Sequence, residues 1–333
     1  MERLQDLRSL FADLEIPERN LDRSILIATW NIREFDSNKY GHRTDESIQY
    51  IAEIISRFDL VAVQEVRRSL AALERLMAML GPHWKYLISD VTEGRQGNGE
   101  RLAFLYDSRK IRLSGLVGEV VLPPRDGEPA DQIARTPYLV GFKAGWAKFA
   151  LVTAHLLWGS SKADDPRRLA EIAHLSSLLS KRASDKTSWT RNMILLGDFN
   201  IFDPADESAQ ILRENGFVVP ESLIEARSNY KRDRAYDQIT FHVDRDRIAG
   251  GARGGVVDFS DTIYRDEDES LYLSEMGDAY FWNPDGEIRS VAGRHDYYRS
   301  WRTHQMSDHY PLWTELHIDY SGRYIERKLN GEA

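Results

Sequence analysis

Hydrophobic and polar positions divide the chain into short apolar runs of strand length and longer stretches with helical spacing. Apolar residues recurring every three or four positions predict helices over 1–23, 45–57, 70–80, 165–181 and 206–215. Compact apolar runs predict strands over 24–32, 60–63, 85–89, 102–106, 111–116, 138–142, 147–153, 193–196, 235–241 and 310–318. Residues 118–132 combine proline, acids and glycine and are predicted to form an exposed loop. Strands that alternate with helices are typical of a layered α/β protein.

The same pattern indicates the domain organisation. Residues 1–23 are expected to form an N-terminal helical lead-in, in which Pro17 ends the helix. We find no internal repeat and no long linker, so 24–320 is predicted to be a single domain. That domain carries an insertion at about 244–303, where charged, aromatic and glycine residues obscure any period, and 321–333 form a C-terminal tail.

Composition narrows the chemistry. The chain has 333 residues, 42% of them hydrophobic, and no cysteine. A disulfide framework, thiolate catalysis and cysteine metal sites are excluded, so chemistry must rest on oxygen and nitrogen groups. Residues 1–20 contain no apolar core of a signal peptide, and no stretch approaches the roughly 18 apolar residues of a membrane span. A cytoplasmic protein is expected, which the lack of cysteine also fits.

The net charge of the chain limits its possible functions less than the local charge around a site does. The net charge of -9 argues against a generally basic surface for nucleic acid. A site can carry the opposite local sign, so an enzyme that meets phosphate through a metal and a few arginines stays open. Six acids of the insertion are interpreted as a solvated face, with a Ca²⁺ site as the alternative: Asp258, Asp261, Asp266, Glu267, Asp268 and Glu269.

Polar side chains recur where the apolar strands end. The run Met193–Leu196 leads through Gly197 to Asp198 and Asn200, whose side chains share one face of an extended backbone. Further polar residues stand at the ends of other strands: Asn31, Glu65, His155, Asp237, Asp308 and His309. Each alone has an ordinary interpretation, such as a turn, a surface ion pair or a half-buried histidine. Their repetition on several strands indicates a functional site at one end of the sheets.

These residue types suit metal-assisted hydrolysis of a phosphoester. Hard oxygen ligands such as Glu65, Asn31 and Asp308 favour Mg²⁺, Mn²⁺ or Ca²⁺ over zinc. Such an ion neutralises a phosphate oxygen and stabilises the leaving oxygen. A histidine backed by a carboxylate can activate water, because the acid fixes its tautomer and raises its basicity.

Eight motifs make the pattern specific. They are Thr29-Trp30-Asn31-Ile32-Arg33, Val63-Gln64-Glu65-Val66-Arg67, Glu100-Arg101-Leu102-Ala103-Phe104-Leu105-Tyr106, Arg135-Thr136-Pro137, Thr153-Ala154-His155, Gly197-Asp198-Phe199-Asn200, Tyr236-Asp237 and Ser307-Asp308-His309-Tyr310-Pro311. With these motifs in this order, the chain resembles the endonuclease/exonuclease/phosphatase superfamily, and within it the deoxyribonuclease I-like members. The resemblance covers 24–243 and 304–318.

The resemblance implies an α/β fold, a four-layer αββα sandwich of the deoxyribonuclease I-like type, with the site at the mouth between two packed sheets. It implies that Glu65 and Asn31 bind the metal ion, with Asp308 completing or adjoining that shell. His309, paired with Asp237, would act as general base or polarise the scissile phosphate.

The remaining roles follow from the same resemblance. Asp198 would orient the attacking water, and Asn200 would hold the phosphate. His155 would be a second histidine at the phosphate, with Glu100 as its carboxylate partner. Three arginines match positions on the substrate side in the family: Arg33, Arg67 and Arg135.

The chain also departs from the family pattern. Residues 94–99 contain no aromatic side chain where deoxyribonuclease I presents a tyrosine to the minor groove, which argues against that stacking contact here. The disulfides of the family cannot form. The insertion at 244–303 exceeds the corresponding loops of secreted deoxyribonucleases, and could cover the cleft, narrow it to a smaller diester or decorate an edge.

The leading hypothesis is a phosphodiesterase that depends on Mg²⁺ or Mn²⁺, with Ca²⁺ as a further option, and acts on DNA as an endonuclease. The pairing of Glu100 with His155, together with Arg67, favours this activity over an abasic-site endonuclease. The alternative is a phosphoesterase of the same fold that acts on a small or lipid phosphodiester, as a sphingomyelinase-like enzyme or a nucleotide phosphodiesterase. Exposed aromatics at 280–282 would permit a lipid contact.

A third hypothesis is a scaffold that kept the fold and lost the chemistry. Such a protein should lack one or more of the polar residues named above, and this chain lacks none of them. No stable protein partner is implied.

Overall fold

In the computed structural model, the residues described are 2–331 apart from 36, 38, 94–95, 125–130 and 244–248. Within these residues two mixed β-sheets pack face to face, and helices cover both outer faces. The predicted four-layer αββα sandwich is therefore confirmed.

The described strands are β1 (Ser24–Phe35), β2 (Leu60–Val66), β3 (Trp84–Ile88), β4 (Arg101–Asp107), β5 (Arg112–Glu119), β6 (Tyr138–Ala144), β7 (Ala147–His155), β8 (Met193–Asp198), β9 (Asp237–His242), β10 (Ala249–Val256) and β11 (Leu312–His317). One sheet has the order β10-β11-β1-β2-β4-β3, and the other has the order β5-β6-β7-β8-β9. The pairs β1–β2 and β7–β8 are parallel, whereas the other neighbours are antiparallel. Each parallel pair brings two strand ends to the same edge of its sheet.

The described helices are α1 (Glu2–Asp13), α2 (Asp45–Ile55), α3 (Ala71–Leu80), α4 (Pro166–Ser184), α5 (Glu207–Glu214), α6 (Leu273–Met276), α7 (Asp278–Phe281), α8 (Val291–Gln305) and α9 (Ser321–Leu329). Short 3₁₀ turns lie at Glu221–Leu223 and Asp266–Tyr272. Caps begin the longer helices: Thr44 accepts a hydrogen bond from the amide of Ser47, and Asp165 accepts from Arg167 and Arg168.

Three apolar clusters separate the four layers. The middle cluster lies between the sheets, where the rings of Phe104 and Phe142 meet edge to face at 5.5 Å. The cluster on the six-stranded sheet joins β1 and β2 to α1, α2, α3 and α8, and the third joins β7 and β8 to α4 and α5. Because each large side chain buried this way contributes about 1.5–3 kcal/mol, these clusters fix the sheets as a rigid frame.

The first helix is shorter than the sequence pattern predicts. It ends at Asp13, four residues before Pro17, so the predicted end of the helix at Pro17 is wrong. Glu15 has a positive φ of 51°, and the amide of Ile16 donates to the carbonyl of Phe11. This left-handed cap closes the helix before the proline is reached.

The predicted loop at 118–132 is partly ordered structure. Strand β5 continues to Glu119, and the amide of Val120 donates to the carbonyl of Pro137 at 2.8 Å. Val120 and Leu122 are buried in the cluster against α4, so the prediction of an exposed loop is wrong for them. Because proline and acidic residues surround them, the sequence pattern does not predict that these two apolar residues are buried. Residues 125–130 lie outside the described part.

The segment 244–303 is built into the sandwich rather than added to its surface. Strand β10 pairs with β11 at the edge of the six-stranded sheet, and α8 packs on the outer face of that sheet. Tyr298 and Trp301 of α8 are each about 1% exposed and lie in the same cluster as Trp30 of β1. The domain limits at 24–320 stay a prediction. In the tail at 321–333, α9 covers Ser321–Leu329, and residues 332–333 lie outside the described part.

The acids of this segment do not form one solvated face. Asp268 is buried and pairs with Arg3 at 2.8 Å and Arg265 at 3.1 Å. Glu269 is also buried, accepts a hydrogen bond from Tyr280 at 2.7 Å and pairs with His295. For these two acids the expectation of solvation is wrong, because basic and hydroxyl partners compensate their burial.

Candidate functional site

The strand ends bring the predicted polar residues to the mouth between the two sheets. His155 ends β7 and is paired in register with Asp198 at the end of parallel strand β8. Asp237, which begins antiparallel strand β9, faces Asp198 from the other side. Asn31 of β1 hydrogen-bonds Asp198 across the gap between the sheets. The sandwich therefore positions these side chains from strands rather than from free loops.

Gly197 is the residue that lets β8 deliver Asp198 to this place. Its φ is +136°, a value that L side chains rarely adopt. A Cβ at this position would lie 2.0 Å from the carbonyl oxygen of Ala154 on β7. Only glycine therefore fits between the neighbouring strands.

We expect Gly197→Ala to lower the free energy of unfolding by about 3 kcal/mol, because strain and a backbone clash act together. Chemical denaturation measures this change. Gly118→Ala on β5 is the matched control, since no atom lies within 4 Å of its added Cβ. A Gly197→Ala protein as stable as the control would contradict the close approach of β7 and β8.

One side of the mouth holds a histidine–carboxylate–arginine group. Nδ1 of His155 lies 2.9 Å from Oε2 of Glu100, and Nε of Arg135 lies 3.0 Å from the same oxygen. All three side chains are buried. Burial raises the pKa of Glu100, but the hydrogen bond and charge of His155 and the charge of Arg135 outweigh it and lower the pKa to about 2. Glu100 is thus a fixed carboxylate that orients His155, whose Nε2 points toward Asp198 at 3.5 Å.

The middle of the mouth has the donors for a divalent cation. Ligand atoms of Glu65, Glu100 and His155 lie within 4.8 Å of one another. The amide nitrogen of Asn31 donates to Glu65 and to Asp198 at 3.0 Å each, while its buried oxygen Oδ1 has no hydrogen-bond partner. A buried oxygen without a donor is costly unless something else satisfies it. The oxygen-rich set around Asn31 and Glu65 therefore fits Mg²⁺ or Mn²⁺.

Asp308 lies apart from that group. Its side chain is 41% exposed, and its Oδ2 is 3.6 Å from Nε of Arg33. Asp308 thus stands at the rim, and its role as a metal ligand stays a prediction. Glu65 has a positive φ of 61°, a conformation that turns its carboxylate to meet Asn31 and the amide of Glu34.

The other side of the mouth holds a second histidine–carboxylate pair. Nδ1 of His309 lies 2.7 Å from Oδ2 of Asp237, and Nε2 of His309 is 3.9 Å from Asp198. Ser228 donates a hydrogen bond to the same Asp237 oxygen at 2.6 Å. Burial lowers the pKa of His309, but the charges of Asp237 and Asp198 outweigh it and raise that pKa well above the usual value.

Asn200 is held firmly beside Asp198. Its φ of 54° is left-handed, and its backbone amide donates to Oδ1 of Asp198 at 3.0 Å. Its side-chain amide donates to the carbonyl of Leu156 at 2.9 Å. Asn200 therefore shapes the turn after β8, and its predicted grip on phosphate stays a prediction.

The three predicted substrate-side arginines occupy different positions. Arg135 is buried behind Glu100 and donates to the carbonyls of His155 and Leu156 at 3.3 Å. Arg67 reaches the carbonyl of Asn98 at 2.6 Å and lies 4.0 Å from Glu100. Arg33 lies beside Asp308. Arg33 and Arg67 are thus at the opening, whereas Arg135 supports Glu100 and His155 from behind.

The loop at 94–99, where the sequence offers no aromatic contact, is described only at 96–99, since residues 94 and 95 lie outside the described part.

Several supporting residues escape the strand-end pattern. Glu34 donates its backbone amide to Glu65 at 2.7 Å. Ser307 accepts from the amides of Arg33 and His309 and donates to the carbonyl of Asn31. Glu171 of α4 accepts from the amides of Ala134 and Leu157, and burial raises its pKa. Only Ser307 has a signal in the sequence, its place beside Asp308 in a motif.

The sequence profile of the Endonuclease/Exonuclease/phosphatase family matches residues 28–309. Deoxyribonuclease-1 from Bos taurus is 31% identical over 192 residues, which cover 54% of this chain and 62% of that protein. A deoxyribonuclease from Thioalkalivibrio sp. (strain K90mix) is 28% identical over 181 residues, covering 53% of this chain and 46% of that protein. The chain thus spans less than two thirds of the length of either relative.

Among solved structures, a mannosyl-6-phosphatase from Bacteroides thetaiotaomicron VPI-5482 matches with a TM-score of 0.56 at 18% identity. The match covers 88% of this chain and 99% of that chain, and at this identity it supports the fold alone. Within the described ranges, no helix combines the length and apolar character that a membrane crossing requires. The expected cytoplasmic location stays a prediction.

Proposed function

The chain belongs to the endonuclease/exonuclease/phosphatase family, and on this premise we propose that it is a divalent-metal-dependent phosphodiesterase with DNA as its substrate. Enzymes of the family are hydrolases of phosphoester bonds and depend on divalent metal ions. The observation that carries the proposal is a pair of histidine–carboxylate groups facing Asp198 from opposite sides. Nε2 of His155 and Nε2 of His309 lie 3.5 and 3.9 Å from Asp198.

Asn31 and Glu65 would hold the metal ion, which when bound supplies charge neutralisation at the phosphate and the leaving oxygen. The buried Oδ1 of Asn31 without a partner and the cluster of Glu65, Glu100 and His155 support this assignment. Asp308, at the rim, would contribute through its exposed carboxylate.

Proton transfer falls to the groups around Asp198. Asp198 would hold the attacking water in line with the phosphorus and accept its proton as the new P–O bond forms. The raised pKa of His309 favours an imidazolium that donates to a non-bridging phosphate oxygen. His155, oriented by Glu100, would donate to the phosphate from the other side.

DNA is favoured over other diesters by sequence and by site. The relatives of highest identity named above are deoxyribonucleases. The Glu100–His155 pair is present with the geometry of a hydrogen bond, and Arg67 lies at the opening beside it. A guanidinium there can meet a phosphate of the substrate backbone.

A small or lipid phosphodiester is the second candidate. Phe281 and Trp282 in the segment 244–303 are 38% and 46% exposed, whereas neighbouring Tyr280 is buried. Exposed aromatics of this kind suit an interfacial contact with lipid.

A substrate panel tests the proposal. The protein is incubated with Mg²⁺ or Mn²⁺ and plasmid DNA, bis-p-nitrophenyl phosphate or sphingomyelin, beside a His309→Ala variant. We expect metal-dependent nicking of the plasmid and slower hydrolysis of the small diester, both lost in the variant. Hydrolysis of the small diester or sphingomyelin without plasmid cleavage would support the second candidate. No hydrolysis of any substrate would refute the enzymatic proposal.

A further inference from the structure

A cavity of about 470 Å³ opens beside His309, and the residues that line it do not include His155. Its walls come from two parts of the chain: the loop 229–236 and helix α8 of the segment 244–303. Asp308 and His309 also line it. A substrate held at the two histidines would therefore extend into this cavity on one side.

The cavity has the charge of an anion site. Four basic residues line it against two acids: Arg33, Lys231, Arg234 and Arg299, against Asp233 and Asp308. This local surplus stands out in a chain whose net charge is -9. A local positive potential can bind and steer a phosphate even when the whole protein is acidic.

Two of these cations, Lys231 and Arg234, form no side-chain ion pair or hydrogen bond with any residue in the described ranges. The guanidinium of Arg234 lies over the ring of Phe202 at 4.7 Å, whereas the side chain of Lys231 is exposed and open to a ligand. Across the cavity, the ion pairs that Arg299 of α8 makes within the described residues are with exposed acids, Asp266 at 3.2 Å and Asp296 at 3.9 Å. Because exposed ion pairs contribute little, the guanidinium can exchange them for a phosphate.

The loop that carries Lys231 is fixed to the catalytic strand end. The amide of Tyr230 donates to the carbonyl of Asp308 at 2.8 Å. The buried side chain of Asn229 accepts from the amides of Asp233 and Arg234 at 3.0 and 2.8 Å. Lys231 is therefore presented by a preorganised turn, which lowers the entropic cost of binding.

An aromatic surface connects the cavity to the catalytic histidine. The ring of Tyr236 lies 5.7 Å from the ring of His309 and lines the cavity. Tyr236 also hydrogen-bonds Trp158, whose side chain is 46% exposed. Such a surface suits the planar ring of a nucleoside, because base–aromatic stacking tolerates any base.

We propose that this cavity is a subsite for a second phosphate, one nucleotide away from the scissile phosphate, with Lys231 and Arg299 as its ligands. The inference rests on the proposed function and names the substrate feature that the enzyme reads. The second phosphate can be an internal diester of a longer strand or a terminal phosphate of a short one. Helix α8 gives the segment 244–303 a role in substrate choice.

Short thymidine substrates distinguish an internal diester from a terminal phosphate as the group bound in the cavity. The set comprises a dinucleotide with one phosphate, the same dinucleotide with an added 5′- or 3′-terminal phosphate, and a trinucleotide with two internal diesters. For the full-length protein with Mn²⁺, we expect the second phosphate to raise kcat/KM about tenfold, mainly through KM. A higher kcat/KM for the trinucleotide alone indicates that the subsite binds an internal diester. A higher kcat/KM for the dinucleotides with a terminal phosphate indicates that it binds a terminal phosphate. Either result supports the subsite.

Two variants assign the gain to the cavity. Lys231→Ala and Arg299→Ala should each remove most of the tenfold gain and leave the single-phosphate dinucleotide within about twofold of the wild type. Lys186→Ala is the matched control, because Lys186 is exposed and precedes β8 at the end opposite Asp198. It should retain the full gain.

The subsite is refuted if the second phosphate gives no gain, or if the gain survives in both cavity variants. Hydrolysis of bis-p-nitrophenyl phosphate but of none of the nucleotides also refutes it and leaves the metal-dependent chemistry standing. Failure of the proposed function is a different outcome, in which no diester is hydrolysed at all.

Discussion

Replacement of His309 by alanine is expected to lower kcat for a phosphodiester by about 10²–10⁴-fold, the range that general acid–base groups contribute. His309 is held by Asp237 at 2.7 Å and faces Asp198 at 3.9 Å, so its loss removes the polar group on one side of the phosphate. His309→Gln should lose nearly as much, because glutamine can hydrogen-bond Asp237 but cannot carry the imidazolium charge. Steady-state rates with saturating metal measure both variants.

Folding controls separate catalysis from stability. Asp237 keeps the hydrogen bond from Ser228 when His309 is replaced, so the circular dichroism spectrum and thermal midpoint should change little in His309→Gln. His83→Ala is the matched control, since His83 is exposed and lies between α3 and β3. His155→Ala should also lose orders of magnitude. If only one of the two histidines mattered, the arrangement of two histidines around Asp198 would be the wrong account of catalysis.

Replacement of Glu65 by glutamine is expected to weaken binding of Mn²⁺ by at least about 100-fold and to lower kcat/KM by about 10³-fold at fixed metal concentration. The carboxylate of Glu65 lies beside Asn31, and its two oxygens accept from Asn31 at 3.0 Å and from the amide of Glu34 at 2.7 Å. Glutamine keeps the shape and removes the charge that a hard cation requires. Titration calorimetry measures the affinity.

Glu74→Gln provides the comparison, because Glu74 is an exposed acid on α3. It should bind metal as the wild type does. High Mn²⁺ concentration should partly restore the rate of Glu65→Gln, because it compensates the weaker affinity for the metal ion. It does not replace the lost negative charge of the Glu65 carboxylate. Unchanged metal affinity in Glu65→Gln would move the metal site away from Asn31 and Glu65.

The fold is readable from sequence where local pattern and tertiary packing agree. The run before Asp198 and the run before His155 are buried on both faces, so their unbroken apolar character marks the strands directly. Their polar termini then mark the edge at which the site lies.

Strand β10 and helix α8 show where the sequence pattern fails. The residues of β10, Ala249–Val256, include four glycines, which disfavour a strand, and only pairing with β11 holds them extended. In α8, Trp301 is buried beside charged neighbours, and Arg302 is buried against Tyr230 and the carbonyl of Tyr264. Because a charged residue such as Arg302 occupies a buried position, the hydrophobic pattern of α8 does not show which face of the helix is buried.

Some residues of the candidate site can be predicted from the sequence, and others cannot. Asp198, His155 and His309 stand at strand ends and can be predicted. Ser228 and Glu34 cannot, because the hydrogen bonds through which they act exist only after the chain has folded. Glu34 in addition adopts a left-handed φ of 42°, which the local sequence does not predict.

We propose that the donors around Asn31 and Glu65 bind a divalent cation on which phosphodiester hydrolysis depends. The most direct measurement strips the protein of metal with a chelator, removes the chelator, and follows hydrolysis of bis-p-nitrophenyl phosphate as Mg²⁺ or Mn²⁺ is added back. We expect no activity without metal and a saturable return of activity, shifted to higher metal concentration in Glu65→Gln. Full activity of the stripped protein, or no activity at any metal concentration, would contradict it.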